Sequence, residues 1–356
     1  MKRIGILTGG GDCPGLNAVI RAAVRTLIRD YDIEVVGIQL GFEGLLTRSI
    51  VPLGLEQIRG ILPKGGTLLR TTNRGNPFEY PTAGGGAEDR SGQCIDNIHD
   101  LGIDGIIAIG GDGTLKIAQR LCEKGIPIVA VPKTIDNDLA ATDYTFGFHT
   151  AVAVATDAVD RLHTTAESHD RVMILEVMGR NAGWIALYAG IAGGADVALI
   201  PEIPFDLDKV VARLEERERL GARFSVVVVA EGAFPAGGTH VIVKAGSPDK
   251  VERLGGIGER IAIELEHMAK KETRYVVLGH LQRGGTPSAY DRVLATRFGS
   301  FAVDLLKDGT FGVMTALKSP DIVAVPLECV VGRARKVPVD GDVVKTARNV
   351  GIAFGD

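Results

Sequence analysis

Short apolar runs alternate with amphipathic segments along the chain, and loops rich in glycine or acidic residues separate them. Residues 106–109 and 128–131 are too short for helices and rich in β-branched side chains, so each predicts a buried parallel strand. The first run leads into residues 110–114, GGDGT, after which a helix is expected to start near Leu115. The second leads into residues 132–138, PKTIDND, so both loops are expected at the same edge of a parallel sheet.

The same alternation continues through most of the chain. Further strands are predicted at residues 2–8, 34–39, 171–177, 197–200, 224–230 and 274–278, and helices at residues 16–29, 91–101, 150–167 and 251–271. This order predicts an α/β fold with a doubly wound parallel sheet and ligands at the carboxyl ends of its strands. The long helix at 150–167 is expected to bridge to a second domain, and residues 319–356 show no evident chemistry.

Composition narrows the class of protein. The chain has 356 residues, of which 45% are hydrophobic, which predicts a globular protein of two domains. A net charge of −4 and 5% aromatic residues argue against nucleic-acid binding. The apolar segment at the N-terminus is too short for a signal peptide, and no later run approaches the length of a membrane span. The four cysteines, Cys13, Cys94, Cys122 and Cys329, lack metal-ligand or disulfide spacing, which predicts reduced thiols and a cytoplasmic location.

Two glycine-rich loops are candidate phosphate sites. Glycines at a strand-to-helix turn let backbone N–H groups approach a phosphate, and the helix N-terminus adds partial positive charge. Asp112 would repel a bare phosphate, so its position implies a cation such as Mg²⁺ between them. Residues 9–15, GGGDCPG, are the second candidate, with a structural tight turn as the alternative because the GxGxxG fingerprint is absent.

The residues of the two loops after the central strands suit phosphoryl transfer. That reaction needs positioning, charge neutralisation and a group that orients or deprotonates the attacking hydroxyl. Asp112 offers a metal carboxylate, and the second loop adds Lys133, Asp136 and Asp138. Asp136 is the candidate general base.

Basic side chains near predicted strand ends suit a substrate that already carries a phosphate, with scattered surface arginines as the alternative. They are Arg171, Arg180, Arg274 and Arg283, and His280 stands beside the last of them before a Gly-Gly turn. Glu231 also follows a strand, although a lone loop charge is the alternative. Arg74 lies in a basic loop with Arg70, and either a phosphate contact or a surface position fits its spacing.

Six stretches of the chain resemble the successive signatures of the 6-phosphofructokinase family, in that family's order, and the match covers residues 2 to about 297. They are GGGDCPGLNAVIR, GGDGT, PKTIDND, EVMGRNAGW, IPEIPF and GHLQRGGTPSAYDR. The resemblance implies two Rossmann-like doubly wound domains with the active site in the cleft between them. It also implies phosphoryl transfer to the 1-hydroxyl of fructose 6-phosphate. Residues 1–147 with 282–332 are expected to bind the donor, and residues 148–281 with 333–356 the sugar phosphate.

The resemblance also assigns roles to residues. Asp136 matches the proton acceptor and Asp112 the Mg²⁺-associated aspartate. The catalytic set is Lys133, Thr134, Asp136 and Arg180. Donor-binding positions fall on Gly11, Arg74, Gly111, Gly113 and Thr114, with Arg70 as an alternative to Arg74 because the loop looks one residue longer. Substrate positions fall on Thr134, Asp136, Asp138, Arg171, Met178, Gly179, Arg180, Glu231, Arg274, His280 and Arg283.

The same resemblance implies an oligomeric state and bears on the phosphoryl donor. In the family, residues matching Arg171 and Arg274 come from a neighbouring subunit, so a homo-oligomer is implied and a tetramer expected. Pyrophosphate-dependent members usually carry aspartate where this chain has Gly113, whereas Lys133 is usual in those members. This mixed pattern resembles the branch that contains both ATP and pyrophosphate enzymes. We favour ATP, because open space at Gly113 is a precondition for a nucleotide; pyrophosphate is the alternative donor, and a non-catalytic sensor is the lesser one.

Regulation is expected to be weak. Arg21 and Arg25, spaced i, i+4 on a predicted helix, suit either an anion site or a solvated face. With Asp196 they match the family's bacterial effector site, but the partner basic residues are replaced by Leu55, Leu220 and Ala222. His149 stands where the family often has an acid, and the sequence offers no account of that change.

Overall fold

The structure is a computed structural model, which describes residues 1–82, 84–244 and 253–356. It contains two sheets that are largely parallel. In chain order the strands are β1 (Arg3–Thr8), β2 (Glu34–Ile38), β3 (Ile50–Pro52), β4 (Tyr80–Pro81), β5 (Ala87–Glu88), β6 (Gly105–Gly110), β7 (Ile128–Thr134), β8 (Phe146–Gly147), β9 (Val172–Val177), β10 (Val197–Leu199), β11 (Ser225–Ala230), β12 (Ile242–Lys244), β13 (Arg253–Leu254), β14 (Thr273–Val277), β15 (Val313–Lys318) and β16 (Asp321–Pro326).

Helices follow most of the strands. They are α1 (Leu16–Tyr31), α2 (Glu43–Leu46), α3 (Ser91–Asp100), α4 (Asp112–Glu123), α5 (Phe148–His169), α6 (Trp184–Gly193), α7 (Leu207–Arg219), α8 (Ile257–Ala269), α9 (Ala289–Lys307) and α10 (Asp342–Asn349), with short 3-10 helices at Gly279–Arg283 and Leu327–Cys329. Across the residues that the structure describes, no helix has the length and apolar character needed to cross a membrane.

The chain divides into two compact units. The first unit comprises Met1–Ile135, Leu139–His149 and Arg283–Arg333, and the second comprises Asp136–Asp138, Thr150–Gln282 and Ala334–Asp356. Helix α5 begins in the first unit and continues in the second, and the loop after β7 changes unit at Asp136.

The sheet of the first unit has the strand order β16-β15-β7-β6-β1-β2-β3, with β8 added beside β7. Strands β2, β1, β6, β7 and β15 are parallel, and the two outer strands β3 and β16 pair antiparallel. Every residue of β6 is buried, as expected for a strand covered by helices on both faces. The parallel register brings the carboxyl ends of β1, β6 and β7 to the same edge of the sheet, which confirms the predicted arrangement.

The second unit contains a four-stranded parallel sheet in the order β10-β11-β9-β14. Strand β9 is fully buried between β11 and β14. Strand β14 lies at the edge, and its last four residues are exposed. The predicted α/β class is therefore confirmed in both units.

Two helix starts differ from the sequence-based expectation. Helix α4 starts at Asp112 rather than near Leu115, because a carboxylate in the first turn is stabilised by the helix N-terminus and Gly111 takes an extended backbone before it. Helix α8 starts at Ile257, and residues 253–254 form strand β13. The predicted helix start near residue 251 is therefore wrong for residues 253–256, while residues 251–252 lie outside the described residues.

Candidate active site

The loops after β1 and β6 are joined by a single buried side chain. Thr114 is 5% exposed, and a Cβ atom on Gly9 would lie 2.5 Å from its hydroxyl oxygen. A Cβ atom on Gly110 would lie 2.2 Å from the Thr114 Cβ. The Gly9 N–H also donates to the Ile109 carbonyl at 2.9 Å. Glycine is therefore required at both positions by close packing, and the two loops are held side by side at the carboxyl edge of the sheet.

A third loop attaches to the glycines after β1. The Gly10 N–H donates to the Thr72 carbonyl at 3.2 Å, and the Thr71 hydroxyl donates to the Gly10 carbonyl at 2.6 Å. The Arg74 N–H donates to the Thr72 hydroxyl at 3.1 Å, so this exposed arginine follows directly on the attached segment. Arg70 is also exposed, but its backbone is left-handed with φ 59° and its carbonyl accepts from Thr8.

Two cationic side chains meet at Gly11. The ammonium of Lys133, which is 4% exposed, donates to the Gly11 carbonyl. The guanidinium of Arg283 donates from Nη1 to the Asp12 carbonyl at 3.3 Å. A Cβ atom on Gly11 would lie 2.2 Å from the same nitrogen, so a larger residue here would displace the end of the arginine side chain. This turn thus concentrates positive charge where the sequence predicted a phosphate loop.

The first turn of α4 presents a carboxylate beside an open space. Asp112 is exposed, and its Oδ1 accepts the Gly332 N–H at 2.9 Å. At Gly113 an added Cβ atom would meet nothing within 4 Å. Within the described part of the chain, no three histidine, cysteine or acidic side chains cluster as metal ligands. One exposed carboxylate fits Mg²⁺, which usually completes its shell with water and substrate phosphates.

The loop that follows β7 carries the candidate base. Strand β7 continues to Thr134, whose carbonyl accepts the Thr145 hydroxyl at 2.7 Å. Asn137 is fully buried and has a left-handed backbone with φ 51°, a conformation that asparagine adopts more readily than most residues. Asp136 and Asp138, on either side of it, are half-buried.

In the second unit, the loops after β9 and β11 are joined through their backbones. The Glu231 N–H donates to the Val177 carbonyl at 2.8 Å, and the Gly232 N–H to the Gly179 carbonyl at 3.1 Å. Gly179 has φ 139°, a conformation that favours glycine. A Cβ atom on Gly232 would lie 2.0 Å from the Arg180 carbonyl. The loop that carries Met178, Gly179 and Arg180 therefore lies against the one that carries Glu231.

Gln282, which was not singled out from the sequence, connects this pair of loops to the next. Its side chain is 0% exposed. Its Oε1 accepts the Met178 N–H at 3.3 Å, and its Nε2 donates to the Gly279 carbonyl at 3.0 Å. Since His280 lies in the same turn, Gln282 fixes the turn relative to the loop after β9. Gln282 stands in the GHLQRGGTPSAYDR stretch between His280 and Arg283, but a polar residue there does not reveal from sequence that its side chain is buried.

Arg171 and Arg274 lie at the opposite end of the same strands. Arg171 precedes β9 whereas Met178 follows it, and six strand residues span about 20 Å. Glu272 bridges the two arginines, with 2.8 Å to Arg171 Nε and 2.5 Å to Arg274 Nη2. The hydrogen bond from Arg171 lowers the pKa of the Glu272 carboxyl. Within one chain, these two arginines are thus separated from Met178, Gly179, Arg180, Glu231 and His280.

The predicted effector residues are engaged differently from an open anion site. Asp196 is 6% exposed, accepts the Val226 N–H at 2.9 Å, and pairs with Arg217 Nη1 at 2.7 Å. Burial raises the pKa of Asp196. Leu220 is 78% exposed. Weak control by effectors remains a prediction. It agrees with the ion pair between Asp196 and Arg217, because this carboxylate already has a cationic partner within the chain.

His149 lies against aromatic rings, and two of the four cysteines, Cys13 and Cys94, are buried. The His149 ring lies 3.9 Å from the Tyr290 ring and 4.7 Å from that of Tyr144, measured between centroids. Burial lowers the pKa of His149, with Asp291 acting in the opposite direction. All four cysteines are free, and burial raises the pKa of Cys13, so this thiol beside the β1 loop stays protonated.

Comparison with known proteins places the chain among phosphofructokinases. The family model described as Phosphofructokinase matches residues 3–306. The protein named ATP-dependent 6-phosphofructokinase 2 from Clostridium perfringens is 51% identical over 368 residues, covering 100% of this chain and 99% of the relative. The one named pyrophosphate–fructose 6-phosphate 1-phosphotransferase from Amycolatopsis mediterranei is 54% identical over 341 residues, covering 95% and 97%. A solved phosphofructokinase from Pichia pastoris in the T-state superimposes with a TM-score of 0.79 at 31% identity, over 92% of this chain and 35% of that one.

Gln282→Glu tests the connection between the two loops. At neutral pH the carboxylate cannot donate to the Gly279 carbonyl, so we expect the KM for the substrate that the loops after β9 and β11 bind to rise about tenfold, while the KM for the second substrate stays unchanged. Burial raises the pKa of the introduced acid, and its protonated form regains the donor. The ratio of variant to wild-type KM should therefore fall as the pH is lowered.

The control is Gln57→Glu, since Gln57 is exposed and its side chain accepts only the nearby Gly54 N–H at 2.9 Å. Steady-state kinetics between pH 5.5 and about 8 measure both variants, a range that spans the ordinary and raised pKa values of a carboxyl. A Gln282→Glu enzyme whose KM ratio matches that of Gln57→Glu at every pH would contradict the role given to Gln282.

Proposed function

Because the chain belongs to the phosphofructokinase family, we propose that it is an ATP-dependent 6-phosphofructokinase, a glycolytic kinase that phosphorylates the 1-hydroxyl of fructose 6-phosphate. Family membership supports phosphotransfer to the sugar phosphate. It leaves the donor open, since relatives named for ATP and for pyrophosphate are 51% and 54% identical to this chain. The donor must therefore be argued from the residues of the site.

The open space at Gly113 carries the proposal for ATP. This residue lies in the first turn of α4, next to Asp112, and a Cβ atom added there would contact nothing within 4 Å. A nucleotide needs room beyond the transferred phosphate for its remaining phosphates, ribose and base. An aspartate side chain at Gly113 would fill part of that room and add a negative charge near phosphate oxygens. Glycine at this position adds neither the volume nor the negative charge of an aspartate side chain.

Lys133 is the observation that favours pyrophosphate as the alternative donor. Its ammonium is buried at the turn after β1, where it holds the Gly11 carbonyl and lies 3.5 Å from the position of a Cβ atom on Gly10. A buried cation at a glycine loop attracts any phosphate chain. We give it less weight, because its contact with the backbone of the β1 turn supports a terminal phosphate of either donor, whereas space at Gly113 matters only for a nucleotide.

The roles that we propose follow from the chemistry of each side chain. Asp136 accepts the proton of the attacking hydroxyl, which is typically worth about 10² to 10⁴ in rate. Lys133 and Arg283 offset negative charge near the β1 turn, and Arg180 does so on the loop after β9. Asp112 holds Mg²⁺, which neutralises phosphate charge when bound. Thr134 and Asp138 orient the sugar phosphate beside the base.

The remaining proposed contacts are backbone and loop positions. We propose Gly11, Arg74, Gly111, Gly113 and Thr114 for the donor, and Met178, Gly179, Glu231, His280 and Arg283 for fructose 6-phosphate. Glycines suit the first set because N–H groups reach phosphate oxygens only where no Cβ atom intervenes.

We further propose that the protein is a homo-oligomer whose sites are shared, with a tetramer expected. Arg171 lies about 20 Å from Met178 along β9, and Arg274 lies near the same end of the neighbouring strand β14, so we propose that a second chain brings these arginines to the site. The β14 patch supports an interface nearby. It consists of exposed apolar side chains on and around an edge strand: Ile263 65%, Tyr275 41%, Val276 40%, Val277 50% and Leu281 69% exposed. Such an edge favours pairing with another chain.

The donor proposal is tested by the rate of fructose 1,6-bisphosphate formation with Mg²⁺ and either saturating ATP or saturating pyrophosphate. We expect turnover with ATP. Gly113→Asp should lower kcat/KM for ATP at least about tenfold, or roughly 1.4 kcal/mol, because it adds volume and charge to the open space. The matched control is Gly92→Asp, at an exposed helical position where an added Cβ atom also meets nothing within 4 Å.

Turnover with pyrophosphate alone would overturn ATP as donor and support Lys133 as the deciding residue. Turnover with neither donor would leave a sugar-phosphate or nucleotide sensor.

Shared sites are tested by mixing two inactive enzymes. Arg171→Ala with Arg274→Ala removes the arginines, and Asp136→Asn removes the base. Each alone should have less than about 1% of wild-type kcat/KM, since charge-assisted contacts to phosphate or the base are lost. The two variants are co-expressed with different tags. Hybrid oligomers that contain both should recover activity, because one chain supplies Asp136 and its neighbour supplies both arginines.

Arg223→Ala is the control for removing an arginine at the same end of the sheet, since its side chain is 80% exposed and 3.8 Å from its ion-pair partner. It should keep wild-type activity. Purified hybrids that carry both tags yet stay inactive would contradict shared sites.

A further inference from the structure

A short segment near the C-terminus lies against the loop that carries Asp138. Residues 334–337 follow the last strand and helical turn of the first unit and belong to the second unit, beyond the residues matched by the family model. The Arg335 N–H donates to the Asp138 carbonyl at 2.7 Å. This contact is made one residue after the buried, left-handed Asn137, so it restrains the end of the turn that presents Asp136 and Asp138.

The segment is itself held by two side chains of the second unit, Trp184 at the start of α6 and Glu202 after β10. The indole N–H of Trp184 donates to the Arg335 carbonyl at 3.0 Å, and the Arg335 guanidinium carbon lies 4.5 Å above the Trp184 ring. Trp184 is 4% exposed, so the cation stacks on a ring that is itself fixed by packing. Arg335 is thus held by its carbonyl and by its side chain at once.

Glu202 supplies the second attachment. Its Oε1 accepts the Val337 N–H at 2.8 Å, and both of its oxygens lie 3.1 Å from the Gly183 nitrogen, which donates to them. Gly183 ends the Met178–Gly183 loop and precedes α6, so one carboxylate connects that loop to the C-terminal segment. Burial raises the pKa of Glu202, while the N–H donors act in the opposite direction.

From these contacts we infer that Arg335 is a positioning residue for phosphoryl transfer, which acts through the Asp138 backbone and is held by Trp184 and Glu202. The inference rests on the proposed function. The segment links the loop with the proposed base to the loop with Arg180, through contacts made within the second unit. Displacement of a reacting group by about 1 Å can cost 10²-fold in rate, so a restraint at Asp138 has kinetic consequences.

The test uses Arg335→Gln, which removes the cation from the Trp184 ring but keeps the backbone N–H. We expect kcat to fall about tenfold while the KM for the phosphoryl donor stays within about twofold, because the loop with the base is loosened and the donor loops are not. Arg335→Lys keeps a cation over the ring and should recover most of kcat.

Arg348→Gln is the matched control. Arg348 lies in the same C-terminal part of the chain, stacks on Phe354 at 4.9 Å and pairs with Asp356, but none of its contacts involves the Asp138 loop. It should keep wild-type kcat and KM.

The fall in kcat at an unchanged donor KM is the readout that separates positioning from a purely structural role, and fluorescence shows whether the contact between Arg335 and Trp184 is lost in the folded protein. Trp184 is the single tryptophan of the sequence, so emission reports on this contact alone. Arg335→Gln should shift the emission of the folded protein, and Arg348→Gln should leave it unchanged. Circular dichroism confirms folding. If Arg335→Gln does not fold, Trp184→Phe decides, since it keeps an aromatic ring at this position, removes the indole donor to the Arg335 carbonyl and should lower kcat about threefold.

The outcomes separate the two levels of the proposal. No turnover of fructose 6-phosphate by the wild type contradicts the proposed function, and the positioning role fails with it. Wild-type turnover together with unchanged kcat in Arg335→Gln, despite a shifted emission, overturns the positioning role alone. Unchanged kcat in Trp184→Phe overturns it as well. A fall in kcat equal to that of Arg348→Gln reflects general destabilisation of the C-terminal part and also overturns it.

Discussion

The parallel register of the strands is the constraint on which the rest of the structure depends. It brings the ends of β1, β6 and β7 to one edge of the first sheet, and those of β9, β11 and β14 to one edge of the second. The same register separates Arg171 and Arg274 from the loop after β9 by the length of a buried strand. A single geometric rule therefore both assembles most of the proposed sugar-phosphate loop set and leaves it incomplete within one chain.

Close packing explains several of the glycines in the loops after β1 and β6, which we propose bind the donor. Gly9 and Gly110 are glycines because Thr114 occupies the space that side chains would need, whereas a side chain at Gly11 would displace the end of the Arg283 side chain. Gly113 differs, since nothing fills its space. The glycines of these two loops thus have distinct physical causes, and only the open one bears on the choice between a nucleotide and pyrophosphate. Lys133 is buried against the Gly11 carbonyl, and in the proposed function its charge serves either donor.

Much of this could be read from the sequence. Strands such as β6 and β7 were predictable because runs of buried β-branched residues leave few alternatives. The start of α4 was placed too late because a loop of glycines masked the stabilising effect of Asp112 on a helix N-terminus. Glu202 and Gln282 stood in stretches that the sequence analysis quotes, but their contacts were not predicted, and Arg335 was not found, since each matters through backbone groups distant in sequence. The C-terminal part showed no evident chemistry, yet Arg335 contacts the Asp138 loop.

The most direct measurement is Asp136→Asn, because the account places the proton transfer on this one carboxylate. Asparagine keeps the shape of the side chain and cannot act as the base. The account predicts that kcat falls by about 10²-fold or more, while the Kd for fructose 6-phosphate, measured by calorimetry, stays within a few-fold of the wild-type value. A variant that keeps kcat within about twofold would contradict the assignment of the base and, with it, the proposed mechanism.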